Sequence, residues 1–412
     1  MSLEKLEGRI SKELGQLEAE GRLKGKEKVI TGISEPKDGF GPRYYLKGEG
    51  EKLFLRMNSN SYLGLSLKDD TAKAEEEAAR EFGTGPGAVR FISGTFAPHK
   101  ELERRLASFH KREASIIYSS AYAAVMGTLP RLITEDTVVI SDALNHNCII
   151  NAIRLARSPL KKVYPHLDMD GLEKSLGESR GKARRAVIVT DGIFSMRGDH
   201  APLDRIADIC SRHDSDFEEG VISVADDSHG VGAFGKSGRG TEEYTGGRAD
   251  ILIATLGKAL GVNGGYAVSS RKVIDYLRET SPFYIYSNPV TPSEAAAAIR
   301  SLHILDSAEG LKLLERLRSL TCRLKKGLGE IGLETIHGNK LWGSHPIVPL
   351  MIRDTEKTAR LVNYLFDKGI LATGLNFPIV PKGDEEIRFQ VSADHREKDI
   401  DLLLDTLKDF TL

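Results

Sequence analysis

The chain reads as an α/β protein: a mostly parallel central sheet with helices on both faces, followed by a smaller α+β C-terminal domain. Three observations predict this. From about residue 115, short β-branched runs alternate with helix-like stretches, the signature of a sheet whose crossovers are helices. After Pro292 a long alanine-rich helix opens, and mixed α and β segments follow it. The length, 412 residues, allows two or three domains and a sizeable core.

In chain order, Leu3, Leu6, Ile10, Leu14 and Leu17 recur every three or four residues among charges, which predicts an amphipathic docking helix. Residues 25–55 are rich in Gly, Pro and Lys and read as an arm with short strand-like pieces. Together these form a 1–58 segment. Strands are expected at Ser115–Ser119, Val138–Asp142, Lys161–His166, Arg185–Asp191, Val221–Asp226, Asp250–Ala254 and Gly265–Ser269, with helices such as Ile149–Arg157 and Leu203–His213 between them. A large domain over 59–300 and a small one over 301–412 complete the organisation. In such sheets ligands gather at the carboxyl ends of the strands.

Composition narrows the function. Basic residues number 58 against 59 acidic, for a net charge of -1, so no global field recruits nucleic acid or a membrane surface. Cys148, Cys210 and Cys322 are far apart with no C-x-x-C, which argues against a disulfide framework or a cysteine zinc site and fits a reducing cytoplasm. No apolar run approaches the roughly 18 residues of a membrane span, and the first residues lack a signal core. Glycine is the outlier: there are 41, and twelve of them fall within residues 220–265.

Within that cluster, Gly230-Val-Gly-Ala-Phe-Gly-Lys-Ser237 matches both G-x-G-x-x-G and the Walker A pattern. Either would need to open a helix so that its amides face a phosphate. The residues that follow, Gly238-Arg-Gly-Thr241, are poor helix formers, so the segment reads as an irregular loop beneath a site. The strand before it ends in Asp226-Asp-Ser-His229. No second ligand cluster accompanies these residues, so no metal is assigned; a buried carboxylate beside a histidine suits a cationic ring nitrogen. Lys258 ends another strand, flanked by Gly257 and Ala259. A lone lysine is usually surface, but these small neighbours leave room for something bulky. An acid and a lysine at neighbouring strand ends match the needs of pyridoxal phosphate: a Schiff base to the lysine and a carboxylate that keeps the ring protonated. Ser119-Ser-Ala121-Tyr122 ends a strand and starts a helix, offering free amides to a phosphate, and Thr255 adds a hydroxyl.

Asn60-Ser-Tyr-Leu-Gly-Leu65, Arg90-Phe-Ile-Ser-Gly-Thr95, Ser141-Asp-Ala-Leu-Asn-His146, Asp191-Gly-Ile-Phe-Ser-Met196, Asp226-Asp-Ser-His229, Thr255-Leu-Gly-Lys258 and Ile387-Arg388 are together similar to the α-oxoamine synthase family of fold-type-I pyridoxal-phosphate enzymes. The match runs from about Asn58 to the C-terminus. The resemblance implies that Lys258 carries the cofactor, Asp226 pairs with its ring nitrogen, and His229 with Ser195 reaches the phenolic oxygen. His146 would stack on the ring, and the amides of Ala121 and Tyr122 with Thr255 would hold the phosphate. Ser287 and Asn288 would serve a partner subunit's phosphate site in a homodimer, and Asn60 with Arg388 would bind the amino-acid carboxylate. Each has an ordinary rival: His146 as a helix cap, Arg388 as a cross-strand ion-pair residue, Asn60 and Ser195 as turn residues, Ser287–Asn288 as a loop before Pro289. The implied reaction joins an amino acid to an acyl-CoA with release of CoA. The stretch 373–383 followed by Ile387-Arg388 and Gln390-Val-Ser-Ala-Asp-His395 most resembles members that use glycine and acetyl-CoA. The alternatives are 8-amino-7-oxononanoate synthase or serine palmitoyltransferase-like activity and, more distantly, an aminotransferase or a P-loop nucleotide hydrolase.

Overall fold

The computed structural model describes residues 2–20, 22–23, 27–336, 345–377 and 379–410. Three antiparallel strands come first, β1 (Ile30–Ser34), β2 (Arg43–Leu46) and β3 (Leu53–Arg56). The central sheet follows, made of β4 (Ala114–Tyr118), β5 (Thr137–Asp142), β6 (Leu160–Tyr164), β7 (Arg185–Asp191), β8 (Val221–Asp226), β9 (Ile251–Thr255) and β10 (Gly265–Ser269). The C-terminal part adds β11 (Ile347–Met351), β12 (Ile370–Leu371), β13 (Thr373–Leu375) and β14 (Glu386–Gln390).

All seven expected strands lie in the central sheet, ordered β4-β10-β9-β8-β7-β5-β6. The five from β9 to β6 are parallel. Only β10 runs against its neighbours, antiparallel to both β9 and β4. The cause is the short connection from Thr255 to Gly265, which is too brief for the crossover that parallel strands need. Successive side chains feed cores on opposite faces: Ala186 and Ile188 of β7 join one cluster, Val187 and Val189 the other. That two-sided burial is why these strands read as apolar runs. The helix after Pro292 forms as expected over Pro292–Leu305, started by a capping box in which Thr291 Oγ accepts from the Glu294 amide at 3.0 Å.

The first helix, Ser2–Ala19, also forms, but the expected docking is not realised within the single chain. Leu3, Leu6, Ile10 and Leu14 all stay exposed. The arm behaves differently: β3 pairs in parallel with β12, so residues 30–56 share a sheet with the C-terminal part.

The consequence for function lies at the carboxyl ends of the parallel strands. There β5 ends in Asp142, β7 in Asp191, β8 in Asp226 and β9 in Thr255, so acids and a hydroxyl converge where this architecture gathers ligands.

Candidate active site

Asp226 is buried at the end of β8. One oxygen, Oδ1, accepts from the Ser228 amide and hydroxyl at 3.1 and 2.5 Å. The other, Oδ2, meets only the Cys148 thiol at 3.6 Å among the described residues. Half of this buried carboxylate is therefore short of donors, a state that costs free energy unless a cationic or donor group arrives. His229 stands three residues on. Its Nδ1 lies 2.7 Å from the hydroxyl of Tyr62, which is fully buried. Burial holds the Tyr62 phenol above its ordinary range, so it stays protonated. Burial, reinforced by the Lys258 charge, keeps His229 well below its usual value. A Tyr62 proton donated to Nδ1 leaves the His229 proton on Nε2.

Lys258 follows β9. Burial pushes its ammonium below the ordinary lysine range, against the pull of Asp226 and then Asp191, which favours a nucleophilic neutral amine. Its Nζ makes no hydrogen bond among the described residues. The loop around it is tight: the Leu256 amide donates to the Gly264 carbonyl, and Val262 to Leu256. Thr255 Oγ donates to the Gly264 carbonyl at 3.1 Å and accepts from the Gly257 amide at 3.0 Å.

Gly265 ties this loop to a helix start. It pairs with Thr255 on one side and Tyr118 on the other, and a Cβ there would lie 2.2 Å from the Ala121 nitrogen. Only glycine lets β10 approach so closely. Ser120 caps the Ala121–Leu132 helix by accepting from the Ala123 amide at 3.0 Å. The Ala121 and Tyr122 amides are left without an acceptor among the described residues, beside Thr255. Free amides at a helix start suit an anion.

His146 sits across from this group. Its amide donates to Asp191 Oδ2 at 2.9 Å, and its Nδ1 accepts from the Cys148 amide at 3.3 Å, capping the Asn147–Ala156 helix. The ordinary role is thus real and leaves Nε2 free for another. Burial lowers the His146 basicity, opposed by Asp226. Burial and the neighbouring Asp226 charge raise Asp191 well above the usual carboxylate range.

Arg388 makes no ion pair among the described residues, which removes its ordinary reading. Its Nη1 donates to the Ser195 carbonyl at 2.9 Å. With the Gln390 amide turned so that its nitrogen donates to the Asn58 carbonyl, Gln390 Oε1 accepts from Arg388 Nε and Nη2 at 2.8 and 2.9 Å. Three of five guanidinium donors are thereby used, leaving one N–H on each terminal nitrogen, the fork that a carboxylate fits. Asn60 is close by, with its Oδ1 3.4 Å from the Tyr62 hydroxyl. Ser195 lies in a turn in which the Arg197 amide donates to the Phe194 carbonyl. Ser287 and Asn288 stand apart: they follow the largely exposed Tyr286, and the only side-chain hydrogen bond there among the described residues is Ser287 Oγ to the Asn288 carbonyl.

Tyr62, Cys148, Asp191 and Gln390 also belong to the cluster and were not singled out from sequence. Tyr62 and Asp191 lie inside quoted motifs, and strand-end position alone would have flagged Asp191. Gln390 opens a run that carries the resemblance, which implies no role for it, and nothing in the sequence marks Cys148, whose place depends on how helix and sheet meet. The Gly230–Ser237 segment is organised by the chain's own groups. Its Ser237 amide and hydroxyl bond to Glu243, the Gly235 and Lys236 carbonyls accept from Arg318, and the next helix starts only at Thr241.

Residues 53–407 match the aminotransferase class I and II family. The chain is 38% identical over 370 residues to 8-amino-7-oxononanoate synthase 1 of Bacillus velezensis, covering 89% of this chain and 90% of that protein. It is 37% identical over 403 residues to human mitochondrial 2-amino-3-ketobutyrate coenzyme A ligase, covering 97% and 91%. Among solved structures, serine palmitoyltransferase from S. paucimobilis, with PLP and myriocin bound, superposes with a TM-score of 0.85 at 27% identity over 98% of this chain and 97% of that one.

Proposed function

The chain belongs to the class I and II aminotransferase family, as a pyridoxal-phosphate-dependent α-oxoamine synthase, and on that premise we propose that it condenses glycine with acetyl-CoA and releases CoA. The observation that carries the reading is the meeting of a buried, hydrogen-bond-free Lys258 with a half-satisfied Asp226 and the unpaired fork of Arg388. When bound, pyridoxal phosphate supplies an electron sink for the α-carbon. The residues fit that group: Asp226 Oδ2 is open to the ring nitrogen, and the Ala121 and Tyr122 amides with Thr255 form a cradle for the phosphate that a side chain at residue 265 would fill.

The chain's own residues divide the remaining work. Lys258 Nζ takes and returns the α-proton, and its lowered basicity suits both duties. Arg388 and Asn60 orient the amino acid by its carboxylate, and His229 Nε2 donates toward the phenolic oxygen beside Ser195. His146 covers the ring and polarises the thioester carbonyl through Nε2. Ser287 and Asn288, on an exposed segment, are assigned to the second subunit of a homodimer. The three free cysteines suit a reducing compartment such as the cytosol.

Support for glycine and acetyl-CoA comes from the human relative, whose similarity extends over 97% of the chain. A second reading, 8-amino-7-oxononanoate synthesis, rests on the 38% identity to the Bacillus protein. Thiol release with glycine, alanine and serine against acetyl-, pimeloyl- and palmitoyl-CoA separates them. Turnover greatest with glycine and acetyl-CoA is expected, whereas a preference for pimeloyl-CoA replaces this reading with the second. K258A should abolish thiol release, and near-normal turnover in that variant would refute the site.

A further inference from the structure

Cys148 stands between the two side chains that face the cofactor ring, and no part of the chemistry above uses it. It is the second residue of the Asn147–Ala156 helix and is almost completely buried. Its Sγ lies 2.9 Å from His146 Nδ1 and 3.6 Å from Asp226 Oδ2, while its amide donates to the same Nδ1 at 3.3 Å. An imidazole nitrogen that accepts an amide proton carries none of its own. A sulfur and a nitrogen lone pair facing each other at 2.9 Å would repel, so the thiol hydrogen lies between them. The thiol has one proton and two acceptors in reach. Burial, with Asp226 and Asp191 nearby, raises its pKa far above the ordinary thiol range, so the proton is not lost.

We propose that Cys148 is a positioning residue for His146: its thiol proton reinforces the long amide bond to Nδ1 in holding the imidazole as the Nε2–H tautomer, and shares its time with Asp226 Oδ2 only while that oxygen lacks a cationic partner. The inference deepens the cofactor reading and rests on it. When a ring nitrogen claims Asp226 Oδ2, the thiol turns wholly to Nδ1, so filling the site sets the His146 proton where a thioester carbonyl needs a donor. The charged groups facing His146 are Asp191 from β7, Asp226 from β8, and Lys258 from the loop after β9, with His229 within electrostatic reach. None of them contacts Nδ1, so the thiol and amide of residue 148 alone decide its proton.

The test is nitrogen NMR of histidine-labelled protein, without and with pyridoxal phosphate, for wild type, C148A and C148S. In wild type, His146 should move toward pure Nε2–H on loading. In C148A only the long amide bond to Nδ1 remains, so a larger Nδ1–H share than in wild type should persist in both forms, and kcat should fall about tenfold with KM for the amino acid unchanged, the scale on which partners behind a functional histidine act. C148S, which keeps a donor, should restore both. Identical His146 signals in wild type and C148A overturn the proposal, as does a fall in thermal midpoint with no change in tautomer, which would make Cys148 mere packing. A protein that takes up no pyridoxal phosphate refutes the cofactor reading instead. Even then, the wild-type and C148A comparison in the free protein decides the role of the thiol.

Discussion

Asp226 and Asp227 are adjacent at the end of one strand and serve opposite ends. Asp226 faces the cluster around Lys258 with one oxygen almost bare. Asp227 turns the other way and is fully buried, with its oxygens accepting from the Thr241 amide and hydroxyl at 2.7 Å each. Around it close Gly192, Gly230 and Gly240, where a Cβ would lie 2.2, 2.1 and 2.0 Å from its carboxylate oxygens. Both regions are rich in glycine, for different reasons. Near Lys258 glycine clears space for a ligand; around Asp227 it lets backbone wrap a carboxylate that organises the loop. Glycine density reports close approach, and only the bonding of the central group tells whether a ligand or the protein itself is approached.

Substitution on each side should break different properties. D226N removes the anionic oxygen at the ring-nitrogen position while preserving shape, so kcat should fall about a thousandfold with the denaturation midpoint nearly unchanged. G240A strikes the other side. Gly240 has φ 86° and ψ −155°, a region that essentially only glycine occupies, and its new methyl would press on Asp227. Stability should drop by about 3 kcal/mol in urea unfolding, while the protein that remains folded keeps its kcat. A D226N variant that unfolds, or a G240A variant that is stable but inactive, would erase the distinction.

The same contrast shows what the sequence made legible. Largely apolar runs marked the six strands from β4 to β10 other than the edge strand β6, because burial on both faces leaves little alternation to misread; β6 alternates in burial. Asp226, His229 and Lys258 were found because strand ends in such sheets are where chemistry collects. The reversed β10 was not foreseen, since periodicity carries no direction; the nine residues between Thr255 and Gly265 do. Cys148 stayed hidden because its partner Asp226 is 78 residues away in the chain; Gln390 shares a strand face with Arg388, but its role also depends on the distant Asn58 carbonyl, which only packing brings near. The first helix was read correctly as amphipathic, but periodicity does not say what its apolar face meets.

A third strand-end acid extends the comparison to pH. Asp142, at the end of β5, accepts from the Leu144 and Leu167 amides and from His166 Nδ1 at 2.9 Å, while His166 Nε2 meets Asp199 at 3.2 Å. Burial alone would lower the His166 pKa, but its bonds to Asp142 and Asp199 raise it to about 9. Since this lies above the unfolded value near 6.5, the His166 contribution is complete below about pH 6.5 and is lost as pH rises through about 9. Stability should therefore fall by about 2 kcal/mol across that window, and H166Q should flatten the slope. Equal slopes in both proteins would show that the two carboxylates do not hold the imidazolium.

The smallest effect should come from the residue that a motif search would rank first. Lys236 completes the Walker A pattern, yet its side chain is exposed and the amides and carbonyls around it are engaged by Glu243 and Arg318. A phosphate-cradling lysine needs free amides at a helix start aimed at the same anion, whereas here the Ser237 and Arg239 amides are taken by Glu243 and no helix opens before Thr241. K236A should thus leave thiol release, cofactor absorbance and unfolding within error of wild type, a change of less than about 0.5 kcal/mol. ATP at millimolar concentration should not shift the thermal midpoint of either protein. A nucleotide-dependent stabilisation lost in K236A would mean that the glycine loop binds phosphate after all, and the division between the two faces of the Asp226–Asp227 pair would fail.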